Sequence, residues 1–120
     1  MSNQMEWPMA AKWDLRKSRN GQYYFTLKAG NSEIILTSPR FDNKHDAVEG
    51  IKSAADNAPY ASRYERFTTT TNHPIFMLKT VNGRILGTSE LYDTESERDS
   101  GIDAVRTHGP TAILKDNTGE

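Results

Sequence analysis

Between Lys12 and Lys17 the apolar side chains Trp13 and Leu15 alternate with Asp14 and Arg16, the period-two pattern of a half-buried strand. Asn20-Gly21 is a strong hairpin signal. A second strand follows in which Tyr23, Phe25, Leu27 and Ala29 alternate with Tyr24, Thr26 and Lys28. Asn31-Ser32 predicts a two-residue turn into a third strand, Glu33 to Ser38. With that turn, Ala29 faces Ile34, Lys28 faces Ile35, Leu27 faces Leu36 and Thr26 faces Thr37. Opposed residues share one side of a sheet. Phe25, Leu27, Ala29, Ile34 and Leu36 are therefore expected on a core face, and Tyr24, Thr26, Lys28, Ile35 and Thr37 on the other. The period then changes. Ala47, Val48, Ile51, Ala54, Ala55 and Ala58 recur at three- and four-residue spacing as one face of a helix, which Pro59 stops.

The same order of elements occurs twice. Phe25, Leu27, Lys28, Asn31 and Ile34 recur as Phe76, Leu78, Lys79, Asn82 and Ile85, a constant offset of 76 − 25 = 51. The offset also carries Thr37, Ser38, Asp42, Gly50, Ile51 and Pro59 onto Thr88, Ser89, Asp93, Gly101, Ile102 and Pro110. Conservative pairs lie between them: Trp13/Tyr64, Asp14/Glu65, Ile35/Leu86 and Phe41/Tyr92. In the second helix Thr94 and Glu97 have capping-box spacing, and Ile102 and Val105 continue the apolar stripe. Gly50 and Gly101 sit inside the helices at about 1 kcal/mol each relative to alanine, so the helix backbone is expected to approach the sheet or the other helix closely there. Ala112 to Asp116 is strand-like and falls, under the offset, on Ala61 to Glu65. The segment at 61–65 is thus expected to close the first copy while opening the second, and the tail to close the second.

This gives an α+β chain with one domain over 12–117, made of repeat 1 (12–62) and repeat 2 (63–117). Residues 1–11 have no counterpart and read as a loose arm, in which Trp7 could dock, and 118–120 as a frayed tail. A length of 120 residues with 35% hydrophobic content supplies one core and hardly two. No apolar run is long enough to cross a bilayer, and Met1 to Pro8 lacks the basic and apolar regions of a signal peptide. Without cysteine there are no disulfides, thiolate metal sites or cysteine nucleophiles. The expected location is the cytosol.

Charge argues against nucleic acid. Residues 1–60 carry 8 basic and 7 acidic side chains and residues 61–120 carry 7 and 9, whereas a phosphate backbone is met by a net basic surface. Arg16, Lys17 and Arg19 make the one basic run, beside a hairpin turn where charges are solvated. His45, His73 and His108 do not coincide under the offset and fall near a helix start, in a turn and near a helix end, which predicts solvated rings and no metal site. There is no glycine-rich phosphate loop, nucleophile elbow or zinc signature. Asp42 and Asp93 precede the helices and read as capping or dipole-stabilising groups. Ser38 and Ser89 close the third strands without a histidine at motif spacing. No catalytic residue and no cofactor is predicted.

Phe25-x-Leu27-Lys28-Ala29-x-Asn31, then Ile34-x-x-Thr37-Ser38, the aromatic-acid pair Phe41-Asp42, and Gly50-Ile51 in a helix ending near Asn57-Ala58-Pro59 together resemble the YegP-like family of bacterial proteins. The resemblance spans roughly residues 12 to 117 in both repeats and includes Leu114-Lys115-Asp116-Asn117. It implies two β3-α-β units that share one sheet, expected here as antiparallel with both helices on one face, and exchange their closing strands; it implies no activity. Asn72, followed by His73-Pro74, stands where the first hairpin usually has glycine, and asparagine tolerates a left-handed backbone. A chain that exchanges strands with itself is expected to be mainly monomeric.

The candidate binding surface is then the sheet face away from the helices: Tyr24, Thr26, Lys28, Ile35 and Thr37 in the first copy, and Ile75, Met77, Lys79, Leu86 and Thr88 in the second. It would suit a protein partner or a small anionic ligand. A non-enzymatic binding or accessory module is the expected class. The alternatives are a small-molecule enzyme of unrecognised type, which would need a concave site with converging polar groups, and a nucleic-acid-binding accessory protein, which would show steep salt dependence.

Overall fold

The structure, a computed structural model, describes residues 10–120. Most of the arm expected over 1–11, with Trp7, lies outside the described residues. The chain runs through β1 (Lys12–Lys17), β2 (Tyr23–Lys28), β3 (Ile34–Thr37), α1 (Lys44–Asn57), β4 (Tyr64–Thr68), β5 (Pro74–Lys79), β6 (Ile85–Ser89), α2 (Glu95–His108) and β7 (Ile113–Asp116). The seven strands of the described residues form one sheet in the order β4-β5-β6-β3-β2-β1-β7. The repeats meet at its centre, where β3 and β6 pair antiparallel through Leu36↔Ser89 and Thr37↔Thr88.

The helices lie on the face carrying Phe25 and Phe76. A β-carbon at Gly50 would stand 2.9 Å from Phe41 and 3.1 Å from Phe25; at Gly101 it would stand 2.3 Å from the Tyr92 hydroxyl and 3.2 Å from Phe76. Phe25 stacks on Phe41 and Phe76 on Tyr92. The helix glycines therefore seat each helix on an aromatic pair rising from the sheet. The N-caps are Asn43 and Thr94, the latter in a full capping box with Glu97. Asp42 and Asp93 stand one residue before these caps. The Asp42 carboxylate instead accepts from Gln22 Nε2 at 3.2 Å.

All four hairpins close in the same way. The amide of the third loop residue donates back to the strand end in Gly21→Ser18, Ser32→Ala29, Asn72→Thr69 and Gly83→Thr80, and that residue is left-handed, with φ of 86°, 67°, 71° and 88°. The loop at Gly30-Asn31-Ser32 is thus one residue longer than the turn expected there, the three-residue form with a left-handed last position. Ser32 occupies this position without the freedom of glycine. Ser32→Gly should stabilise the protein by about 1 kcal/mol, since a left-handed conformation costs an L-residue about that much; a urea midpoint that falls would refute this.

The second register difference is a bulge. Thr26↔Thr37 and Leu27↔Leu36 pair as expected, but Lys28 pairs with Ile34 and leaves Ile35 as the extra residue. The second copy repeats it, with Lys79↔Ile85 and Leu86 extra. The bulge exchanges the expected roles of the two neighbours: Ile35 and Leu86 are buried in the core cluster, while Ile34 is half-buried and Ile85 exposed.

The expected exchange of closing strands holds for the tail, which joins the first copy, but the courses of the strands differ from expectation. β7 does not close the second copy; it lies beside β1 of the first, in parallel through Trp13↔Leu114 and Asp14↔Lys115. The sheet is therefore mixed. The cause is where α2 ends: Trp13 Nε1 donates to Gly109 O at 3.1 Å, so the chain leaves the helix beside the start of β1 and runs the same way. The counterpart of this bond is Tyr64 Oη donating to Ala58 O at 2.7 Å. Residues 61–63, however, form a short 3-10 turn, and among the described residues the strand after them pairs only with β5. The last three residues, expected to fray, include Glu120, whose carboxylate accepts from Tyr23 Oη at 2.6 Å and lies 3.0 Å from Lys17 Nζ.

Candidate functional site

Strand pairing places one rung of residues across the whole face opposite the helices: Lys115, Asp14, Thr26, Thr37, Thr88, Met77 and Glu65 are successive partners from β7 to β4. Side chains two residues along each strand join the same face. In the first copy these are Lys12, Arg16, Tyr24 and Lys28. Phe67, Ile75 and Lys79 join it in the second.

Of the ten candidate residues, Tyr24, Lys28, Thr37, Ile75, Met77, Lys79 and Thr88 are half-buried, while Thr26, Ile35 and Leu86 are buried. Thr26 lies between Asp14 and Thr37 in the rung; Ile35 and Leu86 are the bulge residues. Neither lysine is free. Lys28 Nζ lies 2.7 Å from Asp14 Oδ2, and Lys79 pairs with Glu65. These are equivalent ion pairs under the offset.

The two pairs sit in different surroundings. Asp14 has a side chain only 2% exposed, and its oxygens also receive Arg16 Nε at 2.9 Å and Asn117 Nδ2 at 2.6 Å. Burial alone would raise its pKa; the hydrogen bonds from Lys28, Asn117 and Arg16 outweigh this and hold it at about 2. Glu65 is 48% exposed. The first-copy half of the face is strongly cationic. Lys12, Arg16, Lys28 and Lys115 lie on it by register, Arg40 stacks on the Tyr24 ring at 4.2 Å, and the one carboxylate among them is Asp14. The second-copy half is apolar around Phe67, Ile75 and Met77, with Lys79 6.0 Å from the Phe67 ring.

Sequence reasoning missed Asp14, Arg16, Arg40, Lys12 and Lys115. A signal for the first was present, because the offset couples Asp14/Glu65 as well as Lys28/Lys79, and hairpin pairing puts each acid within reach of its lysine. Arg40 and Lys115 belong to this face only through a loop and a parallel strand that period and turn signals do not specify.

On the helix side the repeat generates two equivalent clefts, each between a β2–β3-type hairpin of one copy and the helix of the other. One, of about 540 Å³, is lined by Ile34, Ile35 and Tyr92 with Glu33, Glu90, Asp93 and Glu97; the other, of about 330 Å³, is lined by Phe41, Ile85 and Leu86 with Arg40, Arg84, Asp46 and Glu49. Burial, and then Glu33, Glu90 and Glu97, push the Tyr92 phenol up. His45 and His108 are exposed, and the His73 ring is 3.0 Å from Thr71 Oγ1. Among the described residues no group of three or more metal-ligating side chains comes together, and no helix is long and apolar enough to cross a membrane.

A family model described as a domain of unknown function, DUF1508, matches this chain twice, over residues 18–65 and 70–116, once on each repeat. The chain belongs to the DUF1508 family. Two similar proteins carry the name UPF0339: one from Acinetobacter baylyi is 43% identical over 111 residues, covering 92% of this chain and all of its own, and YegP of Escherichia coli K12 is 42% identical over 110 residues with the same coverages. The fold matches the solution NMR structure of a UPF0339 protein from Shewanella oneidensis with a TM-score of 0.86 at 42% identity, covering 93% of this chain and 95% of that one. It matches E. coli YegP, described as a protein of unknown function, with a TM-score of 0.87, covering 93% and 97%. The family is thus one of uncharacterised proteins, with the α+β fold and the doubled DUF1508 unit that the repeat pattern predicts.

Proposed function

We propose that this protein is a non-enzymatic binding module, working as a monomer in the cytosol, whose sheet face away from the helices holds an anionic partner, specifically an acidic segment of another protein. The observation that carries the reading is charge. Lys12, Arg16, Lys28, Arg40 and Lys115 gather on the first-copy half of the face around one carboxylate, which is buried and already neutralised by its neighbours. The adjoining apolar patch at Phe67, Ile75 and Met77 supplies area for side-chain contact. Open cations beside apolar area suit an acidic peptide with apolar residues.

The test uses cations that do not touch Asp14. The variant Lys12→Glu/Arg40→Glu/Lys115→Glu should unfold within about 1 kcal/mol of wild type, since surface substitutions usually cost little. A hexaglutamate peptide carrying one phenylalanine should bind wild type, shifting the amides of Tyr24, Thr26 and Thr37, and bind this variant at least about tenfold more weakly. Equal binding to both would remove the face from consideration. Tighter, steeply salt-dependent binding of a single-stranded oligonucleotide would favour the nucleic-acid reading instead.

A further inference from the structure

β1 and β4 are the same strand of the two repeats, yet among the described residues only β1 has a neighbour on its outer side. Besides its parallel ladder with β1, that neighbour, β7, is anchored at its end: the Asn117 amide donates to Leu15 O at 2.8 Å, Asn117 Nδ2 donates to Asp14 Oδ1 at 2.6 Å, and Asp116 takes Lys44 Nζ at 2.6 Å. The 51-residue offset turns Leu15, Asp14 and Lys44 into Arg66, Glu65 and Glu95. β4 is the terminal strand on its side of the sheet, and among the described residues nothing pairs with its outer edge. Such an edge offers unpaired backbone groups to any extended segment that fits.

We propose that the outer edge of β4 receives an extended basic segment of a partner protein, which adds to the sheet in parallel, as β7 adds to β1. Charge selects the occupant. On β1, Lys115 of the incoming strand lies opposite Asp14, and Asp116 meets Lys44, the first residue of α1. On β4 both receiving positions are acidic: Glu65, half exposed and paired with Lys79, replaces Asp14, and Glu95, the first residue of α2, replaces Lys44. One turn further along α2, Asp99 is occupied by Arg66 at 2.9 Å. A strand with a cation at both positions fits this edge. The chain's own tail does not, because its Asp116 would lie beside Glu95. Residues 1–9 contain Glu6 and no lysine or arginine, so they do not match the edge either.

The experiment titrates the isotopically labelled full chain with two capped peptides, Ala-Ile-Leu-Lys-Lys-Asn and the chain's own tail sequence, Ala-Ile-Leu-Lys-Asp-Asn. The dilysine peptide should shift the amides of Tyr64 to Thr68 and the first turn of α2, with a dissociation constant about threefold lower than that of the tail sequence, the discrimination one exposed charge contact provides. Glu95→Lys, an exposed change, should reverse the order. The proposal is overturned by absence of binding, by equal dissociation constants, by an order that survives Glu95→Lys, or by shifts that fall instead on the acidic cleft at Glu33 and Glu90. Tighter binding of the tail sequence to wild type would make a second copy of this chain the occupant and overturn it too.

Discussion

Gly87→Ala should destabilise the protein by about 3 kcal/mol, the upper part of the range for overpacking a well-filled core. Gly87 is the counterpart of Leu36, and the two lie on neighbouring strands at the seam where the repeats join. A β-carbon at Gly87 would stand 2.6, 2.8 and 3.1 Å from Leu36 Cγ, Cδ2 and Cδ1. Leu36 is 1% exposed, so it has nowhere to retreat. The duplicated unit cannot place a large side chain at both equivalent positions of a central seam; here one copy supplies the leucine and the other the space. Leu36→Ala alone should cost about 2–5 kcal/mol by leaving a cavity. In Leu36→Ala/Gly87→Ala the added methyl enters that cavity, so the double variant should be more stable than the two separate costs predict, by about 1 kcal/mol or more. Urea unfolding of the four proteins decides it. Strict additivity, or an unchanged midpoint for Gly87→Ala, would mean that the seam relaxes freely.

The seam shows where sequence reading succeeds and stops. The alternation of Trp13 with Asp14 and of Phe25 with Thr26, and the three- and four-residue spacing through Ala47, Ile51 and Ala54, each specify an element because burial imposes the period on the side chains. The 51-residue offset then carries the whole description to the second copy. Bulges escape this reasoning. Ile34 and Ile35 are both apolar, as are Ile85 and Leu86, so no change of polarity marks which residue of each pair is the extra one, and a one-residue slip moves a side chain to the other face. The parallel course of β7 is equally silent, because it follows from where α2 ends and not from any pattern within residues 113–116.

The candidate face was legible in its residues but not in its energetics. Matching Lys28 with Lys79 suggested two interchangeable cations available to a ligand. The geometry instead gives each a carboxylate partner and makes the partners unequal, since Asp14 is enclosed by Lys28, Arg16 and Asn117 while Glu65 stands half in water. Asn117, just past β7, completes the enclosure, and among the described residues β7 flanks only the first copy's β1. Two equivalent ion pairs thus have a structural role in one repeat and a solvent-screened role in the other.

Lys28→Glu should therefore lower stability by about 3–5 kcal/mol, because it breaks a buried ion pair and sets a second carboxylate against Asp14, which keeps only Arg16 and Asn117, whereas Lys79→Glu should cost no more than about 1 kcal/mol, as for other exposed pairs. In thermal melts of a chain this size the first loss corresponds to roughly 10–20 °C and the second to a few degrees. The pH dependence separates this cause from a general packing defect. Asp14 titrates at about 2 in the folded protein against an ordinary value of 3.8. A depressed carboxylate contributes stability that is fully present above the unfolded value and disappears as pH falls through the folded one. Wild type should accordingly lose about 2 kcal/mol between roughly pH 5 and pH 2 through this group. In Lys28→Glu the carboxylate at 28 crowds Asp14, so protonation relieves repulsion, and the deficit relative to wild type should shrink as the pH is lowered over that interval. Lys79→Glu should track wild type throughout. A Lys28→Glu deficit that is constant from pH 7 to pH 3, or a Lys79→Glu variant that is equally damaged, would show that the enclosed Asp14 carboxylate is not what distinguishes the two halves of the face.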